Sequence, residues 1–99
     1  VARAWLKTTG NTINDSFNVA SVSFSTSAGS STLTVNLATA MASVNYAVVA
    51  TGHGSIAPAG KDTMCNIVSA SSFQIISTDT LFDGPDAFDN FSVVVFGDQ

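Results

Sequence analysis

The stretch Thr32-Leu33-Thr34-Val35-Asn36-Leu37 decides the fold class. Its apolar and polar residues alternate strictly, and successive side chains of a β-strand point to opposite faces of a sheet. Residues 20–25 alternate in the same way, with Ala20, Val22 and Phe24 between serines. The small, polar stretch at residues 27–31 separates the two segments, so together they predict a β-hairpin.

The rest of the chain also favours strands over helices, because no segment keeps helical spacing over three turns. Residues 52–61 and 82–90 are predicted loops, since both contain Gly and Pro beside polar residues. Residues 38–43 are expected to form one helical turn at most. Further strands are predicted at residues 4–8, 44–51, 64–69, 73–77 and 91–96. Residues 1–99 are therefore expected to form one all-β domain, an antiparallel β-sandwich.

Composition excludes several partners. The formal net charge is −4, and the cations are only Arg3, Lys7 and Lys61. Binding to nucleic acid needs clustered cations that displace counterions from phosphates, so no nucleic-acid partner is expected. No apolar run approaches the roughly 20 residues of a membrane span, so no membrane insertion is expected.

Two predicted strands are apolar on both faces. Residues 93–96 read Val-Val-Val-Phe, and residues 44–50 place Val44, Tyr46 and Val48 on one face with Val49 on the other. A strand in a solitary sandwich has one core face and one wet face. The second apolar face therefore needs another cover, and a second copy of the chain is the simplest one. The working form is expected to be a homo-oligomer.

Cys65 is the single cysteine, so the chain has no internal disulfide. Its neighbours Met64, Ile67 and Val68 are apolar, which predicts a small buried hydrophobe.

Each residue that could bind a metal or take part in catalysis can also be explained without such a function. His53 between two glycines is expected to be an exposed loop histidine, although a trimer axis would bring three such rings together as a metal or pH-sensitive site. The predicted acidic loop around Asp83, Asp86 and Asp89 could hold calcium, but the spacing of its aspartates differs from that of an EF-hand and suits solvated turns. Serine is abundant and no Gly-x-Ser-x-Gly elbow occurs. No catalysis, metal or cofactor is expected.

The aromatic residues suggest contact surfaces, because large rigid rings dominate protein interfaces and also stack on sugars. Trp5, near the start of the first predicted strand, is expected in the core or in an oligomer interface. Phe82 and Phe88 flank the turn-rich loop and are candidates for exposed contact.

Several segments of the chain resemble the C-terminal domain of tail-fibre proteins from marine and cyanobacterial phages. The matching pieces cover nearly the whole chain in the expected order: Ala4-Trp5, residues 16–22, residues 34–41 running into 45–49, Ser72-Phe73 and residues 93–97. The resemblance implies a sandwich domain, usually trimeric, at the C-terminal tip of a longer fibre protein. It does not transfer a set of binding residues.

The expected function is therefore that of a virion structural protein on the extracellular face of the particle. It would form a homotrimer, contact neighbouring virion proteins and attach to a bacterial surface receptor, either a glycan or an outer-membrane protein. A knob, decoration or trimerisation cap without receptor binding, and a carbohydrate-binding module, are the alternatives. Candidate receptor-binding residues are His53, Phe82, Asp83, Asp86 and Phe88. Candidate interface residues are Trp5, Tyr46, Val49, Val94 and Phe96.

Overall fold

The computed structural model of the chain describes residues 2–27, 30–53, 61–79 and 90–99. These residues form eight β-strands: β1 (Ala2–Thr9), β2 (Thr12–Phe17), β3 (Val19–Ser27), β4 (Ser30–Leu37), β5 (Ala47–His53), β6 (Lys61–Ser69), β7 (Ser72–Asp79) and β8 (Asn90–Phe96). No helix long and apolar enough to cross a membrane occurs in the described ranges.

The strands form two four-stranded sheets in which every neighbouring pair is antiparallel. The first sheet has the order β2-β1-β8-β5, and the second has the order β3-β4-β7-β6. The core joins inward residues of both sheets, including Leu6 and Val93 from the first and Leu33 and Phe73 from the second. The prediction of an all-β antiparallel fold is confirmed, and the arrangement is consistent with a sandwich.

The alternation of the opening hexapeptide appears directly in the core. Leu33, Val35 and Leu37 are buried, while the residues between them on β4 are half-buried. Burying a large aliphatic side chain stabilises a fold by roughly 1.5–3 kcal/mol relative to leaving it exposed. The hairpin predicted around residues 27–31 is the β3–β4 pair, in which Phe24 lies opposite Leu33.

Some sequence predictions were wrong at the level of single elements. The sequence predicted no strand at residues 12–17, yet β2 lies there, because pairing with β1 overrides the turn preference of Asn14 and Asp15. The strand predicted at residues 44–51 begins at Ala47 and continues to His53, where a loop was expected. Residues 38–43 form bends instead of a helical turn. Cys65 is exposed rather than buried, because β6 is an edge strand.

Asn18 fixes the corner where the chain crosses from the first sheet to the second. Its φ of 59° is left-handed, a conformation that Asn adopts more easily than most residues. Its side-chain Nδ2 donates to the carbonyls of Arg3 and Thr39, both at 3.1 Å. The Thr39 N–H donates in turn to Asn18 Oδ1 at 2.6 Å. These bonds pin the 38–46 crossover against the start of β1.

The molecule has two distinct ends. At one end, called here the terminal pole, Ala2 lies opposite Phe96. The Ala42 N–H donates to the Asp98 carbonyl, and the Met41 N–H donates to the Ala70 carbonyl. These bonds join the terminal pole of the first sheet to the β6–β7 turn of the second.

The opposite end is called here the loop pole. In the first sheet, Asn90 lies opposite both Thr9 and His53. In the second sheet, Lys61 lies opposite Asp79. The residues that flank segments 54–60 and 80–89 therefore share one end of the molecule, away from the described ends of the chain.

Candidate functional site: the outward face of the first sheet

The first sheet carries an apolar row across its outward face. Register places Phe17 opposite Trp5, Trp5 opposite Val94, and Val94 opposite Val49. The row therefore crosses all four strands, from the β2 edge to the β5 edge. Phe17 is 54% exposed, Val49 is 57% exposed and Trp5 is 37% exposed, whereas Val94 is half-buried between its neighbours. A large side chain exposed in this way leaves apolar surface in water.

The apolar row, defined by Phe17, Trp5, Val94 and Val49, extends toward the terminal pole. Phe96, which is 43% exposed, lies opposite Ala2 on one side and Ala47 on the other. Toward the loop pole the face becomes polar, with Lys7 opposite both Asp15 and Ser92. The result is one apolar patch with charged residues only at its margins.

The outward face of the second sheet differs in chemistry. Its outward side chains, where described, carry hydroxyl, amide and some apolar groups but no charge. Asn36 Nδ2 donates to Ser21 Oγ at 3.1 Å, and Asn66 Nδ2 donates to Gln74 Oε1 at 3.1 Å. These cross-strand bonds satisfy amide groups within the face. The second sheet exposes Met64 and Val68 on β6, at 54% and 56%, but among its described residues no apolar row crosses all four strands.

Tyr46 does not belong to the outward face, which corrects its place among the candidate interface residues. It precedes β5 and is only 7% exposed. Its ring meets Phe73 edge-on at a centroid distance of 6.3 Å. Its Oη donates to the carbonyls of Ser69 at 2.8 Å and Ser72 at 3.1 Å, and burial raises the pKa of the phenol. Tyr46 therefore ties the crossover to the β6–β7 turn.

The prediction that Val44, Tyr46 and Val48 share one face of a strand was wrong, because Val44 and Tyr46 precede β5. Val44 is 54% exposed in the crossover, so the alternation assumed from Val44 through Tyr46 to Val48 does not exist. Tyr46 packs directly against the backbone of Gly97, which has no side chain to block the contact. A Cβ added to Gly97, whose φ is 151°, would lie 2.8 Å from Tyr46 Cβ, closer than two carbon atoms can approach.

The candidate receptor-binding residues fall largely outside the described residues. Phe82, Asp83, Asp86 and Phe88 lie in segment 80–89, as does Asp89 of the calcium reading. The backbone of His53 ends β5 opposite Asn90, and its side chain is not described. The described part of the chain holds no group of three or more His, Cys, Asp or Glu side chains placed to bind a metal.

Buried hydroxyl groups near the loop pole are a feature that sequence reasoning missed. Thr8, Ser31 and Ser77 are all at most 3% exposed. Thr8 Oγ1 and Asn90 Oδ1 are buried without a hydrogen-bond partner among the described residues. Nothing in the sequence distinguishes these hydroxyl groups, because Ser and Thr occur throughout the chain. The core is therefore apolar near the terminal pole and partly polar near the loop pole.

No protein-family model, curated protein or solved structure matches this chain.

Proposed function

We propose that the chain is a virion structural domain, the tip of a phage tail fibre, which forms a homotrimer and attaches the particle to a receptor on the bacterial surface. The segment resemblances at residues 16–22, 34–41, 45–49 and 93–97 suggest this class of protein. Receptor contact is assigned to His53, Phe82, Asp83, Asp86 and Phe88, and self-association to Trp5, Val49, Val94 and Phe96.

The observation that carries the proposal is the separation of the two poles. Ala2 and Gly97 lie at the terminal pole, where Arg3 Nε also donates to the Gly97 carbonyl at 3.2 Å. His53 and Asn90 lie at the loop pole. A fibre shaft joined at the terminal pole would leave the loop pole facing the host. We assign receptor contact to segments 54–60 and 80–89, because connecting segments on a rigid scaffold tolerate variation in sequence.

Self-association serves attachment through avidity. Three copies on one fibre present three loop poles, and binding of the first makes the next effectively intramolecular. Each contact can then be weak. The apolar row supports this half of the proposal, since it is too apolar to remain in water without cost.

The experiment that tests attachment is binding of the fluorescently labelled chain to a panel of marine bacterial and cyanobacterial cells. We expect saturable binding to some strains. The triple change His53→Ala, Phe82→Ala and Phe88→Ala should remove it without lowering the melting temperature. Val44→Ala, an exposed apolar residue in the crossover at the terminal pole, is the matched control and should bind as the parent does.

Two outcomes contradict receptor attachment. In the first, the triple variant binds as the parent does. In the second, a trimeric preparation binds to none of the strains. The second outcome favours a purely structural cap or decoration, a function that the apolar row alone would serve. A glycan array distinguishes a free carbohydrate-binding module, for which the exposed rings of Trp5 and Phe17 would be the sugar platform.

A further inference from the structure

We infer that copies of this chain associate through the outward face of the first sheet, with the apolar rows of the three copies turned toward a common axis, and not by joining strands edge to edge. The inference rests on the proposed self-association and names its surface and its partner, a second copy of the chain. Two independent observations favour face packing: the chemistry of the face and the state of the sheet edges.

The sheet edges are blunted by side chains that engage backbone groups. On β2, the Ser16 N–H donates to Asp15 Oδ1 at 2.9 Å, and the register with β1 shifts next to Asn14. On β3, the Phe24 N–H donates to Asn11 Oδ1 at 2.9 Å. Strand addition needs free, regularly spaced backbone groups, and bulges with competing hydrogen bonds oppose it.

The β5 edge is occupied in a related way. Cys65 Sγ on β6 lies 3.7 Å from the Val48 carbonyl and donates to it, so an edge of the first sheet is bridged to an edge of the second. This contact also explains why the exposed residue Cys65 has a partly buried thiol, whose pKa is raised by that burial. Three of the four edge strands are thus engaged by side chains, whereas no described residue covers the outward face of the first sheet.

The size of the face fits a second copy. Four strands about 4.8 Å apart make a face roughly 19 Å wide, and seven residues extend it to about 23 Å. That is roughly 400 Å² of flat area, and the protruding rings add to it. A standard interface removes about 800 Å² of accessible surface from each partner. The flat area is about half of that standard value, which places the face at the small end of interface sizes.

The charges at the margins also suit a copy of the same chain. Lys7 and Asp15 lie beside the apolar row, opposite each other in register, and Arg3 lies toward the terminal pole. Both signs are therefore present at the rim, so Lys7 or Arg3 of one copy can pair with Asp15 of another. The apolar row itself contains no charged residue. Depletion of charge at the centre with polar groups at the rim is typical of protein interfaces.

Three variants test the inference by sedimentation across a concentration series. Val49→Lys places a charge in the apolar row. Val68→Lys is its matched control, because Val68 on β6 is 56% exposed against 57% for Val49 but belongs to the other sheet. Ser16→Pro removes the N–H on β2 that edge pairing would use. We expect Val49→Lys to raise the dissociation constant at least about tenfold, because it would bury an unpaired charge against the apolar row of another copy. The other two should associate as the parent does, with all melting temperatures measured in parallel.

Each outcome decides a different point. If Val49→Lys associates as tightly as the parent, or if folded Ser16→Pro is monomeric, face packing is wrong while self-association stands. If the parent is monomeric up to about 100 µM, both this inference and the self-association half of the proposed function fail. Loss of association in Val68→Lys alone would move the interface to the second sheet.

Discussion

Replacing Thr8 by valine should stabilise the protein, although most core substitutions destabilise. Thr8 is 1% exposed, and its Oγ1 has no hydrogen-bond partner among the described residues. Its side chain points into the core from β1, where Thr8 lies opposite Phe91. Valine has almost the same shape and exchanges the hydroxyl for a methyl group. The substitution therefore removes a desolvated polar atom without opening a cavity.

The size of the gain follows from the cost of an unsatisfied buried hydroxyl, which is about 1–3 kcal/mol. We expect Thr8→Val to raise the free energy of unfolding by about 1–2 kcal/mol, allowing for imperfect packing of the added methyl. For a domain of this size, each kcal/mol shifts the melting temperature by roughly 4–8 °C. The melting temperature should therefore rise by roughly 4–16 °C.

Urea unfolding at equilibrium, followed by circular dichroism, measures the change. Thr12→Val, at an exposed position on β2, is the control for β-propensity and should change the free energy of unfolding by less than about 0.5 kcal/mol. A Thr8→Val protein less stable than the parent would refute the reasoning, because it would mean that the hydroxyl has a partner in solution such as a buried water.

Three further predictions concern single contacts. Tyr46→Phe should lower the free energy of unfolding by about 1–2 kcal/mol in urea, since the carbonyls of Ser69 and Ser72 lose their donor. Burial raises the pKa of Tyr46 above its ordinary value of 10.0, so the stability that the phenol contributes is fully present below pH 10.0 and is lost as the pH rises through the raised pKa. The free energy of unfolding measured from pH 9 to 11.5 should therefore fall less in Tyr46→Phe than in the parent. An equal fall in both proteins would count against this. Gly97→Ala should lower the free energy of unfolding by about 1–3 kcal/mol, and the melting temperature with it, because the φ of Gly97 is left-handed and the new Cβ would clash with Tyr46. An unchanged melting temperature would show that the terminal pole is loosely packed. Cys65 should be alkylated at pH 8 more slowly than a cysteine in an unfolded peptide, because its raised pKa leaves less thiolate, and equal rates would contradict the contact with β5.

The local parts of the fold were predictable because they depend on alternation alone. The alternation of Leu33, Val35 and Leu37 predicts β4 whatever strands it pairs with. The strand β2 was not predictable, because its residues Asn14 and Asp15 prefer turns and only pairing with β1 makes them extended. Sequence analysis also could not place the start of β5, since Val44 and Tyr46 show the apolar alternation before the strand begins at Ala47.

The candidate surface was only partly predictable for a related reason. Val49, Val94 and Phe96 were singled out because their strands are apolar on both faces, and Trp5 was singled out as a large aromatic residue. Phe17 was missed because it ends the strand that the sequence did not predict. The fact that these residues form one continuous row depends on the register of three strand pairs, which is a property of the assembled sheet. Alternation determines which face a side chain is on, and register determines its neighbours.

Fluorescence of Trp5, the single tryptophan of the sequence, tests the central claim most directly. The ring lies in the apolar row and is 37% exposed in one copy of the chain. If copies pack through this face, the emission should shift to shorter wavelength and iodide quenching should fall as the concentration rises, in step with the mass measured by sedimentation. An increase in mass with unchanged emission and unchanged quenching would contradict the claim, because Trp5 would then remain in water while the copies associate elsewhere.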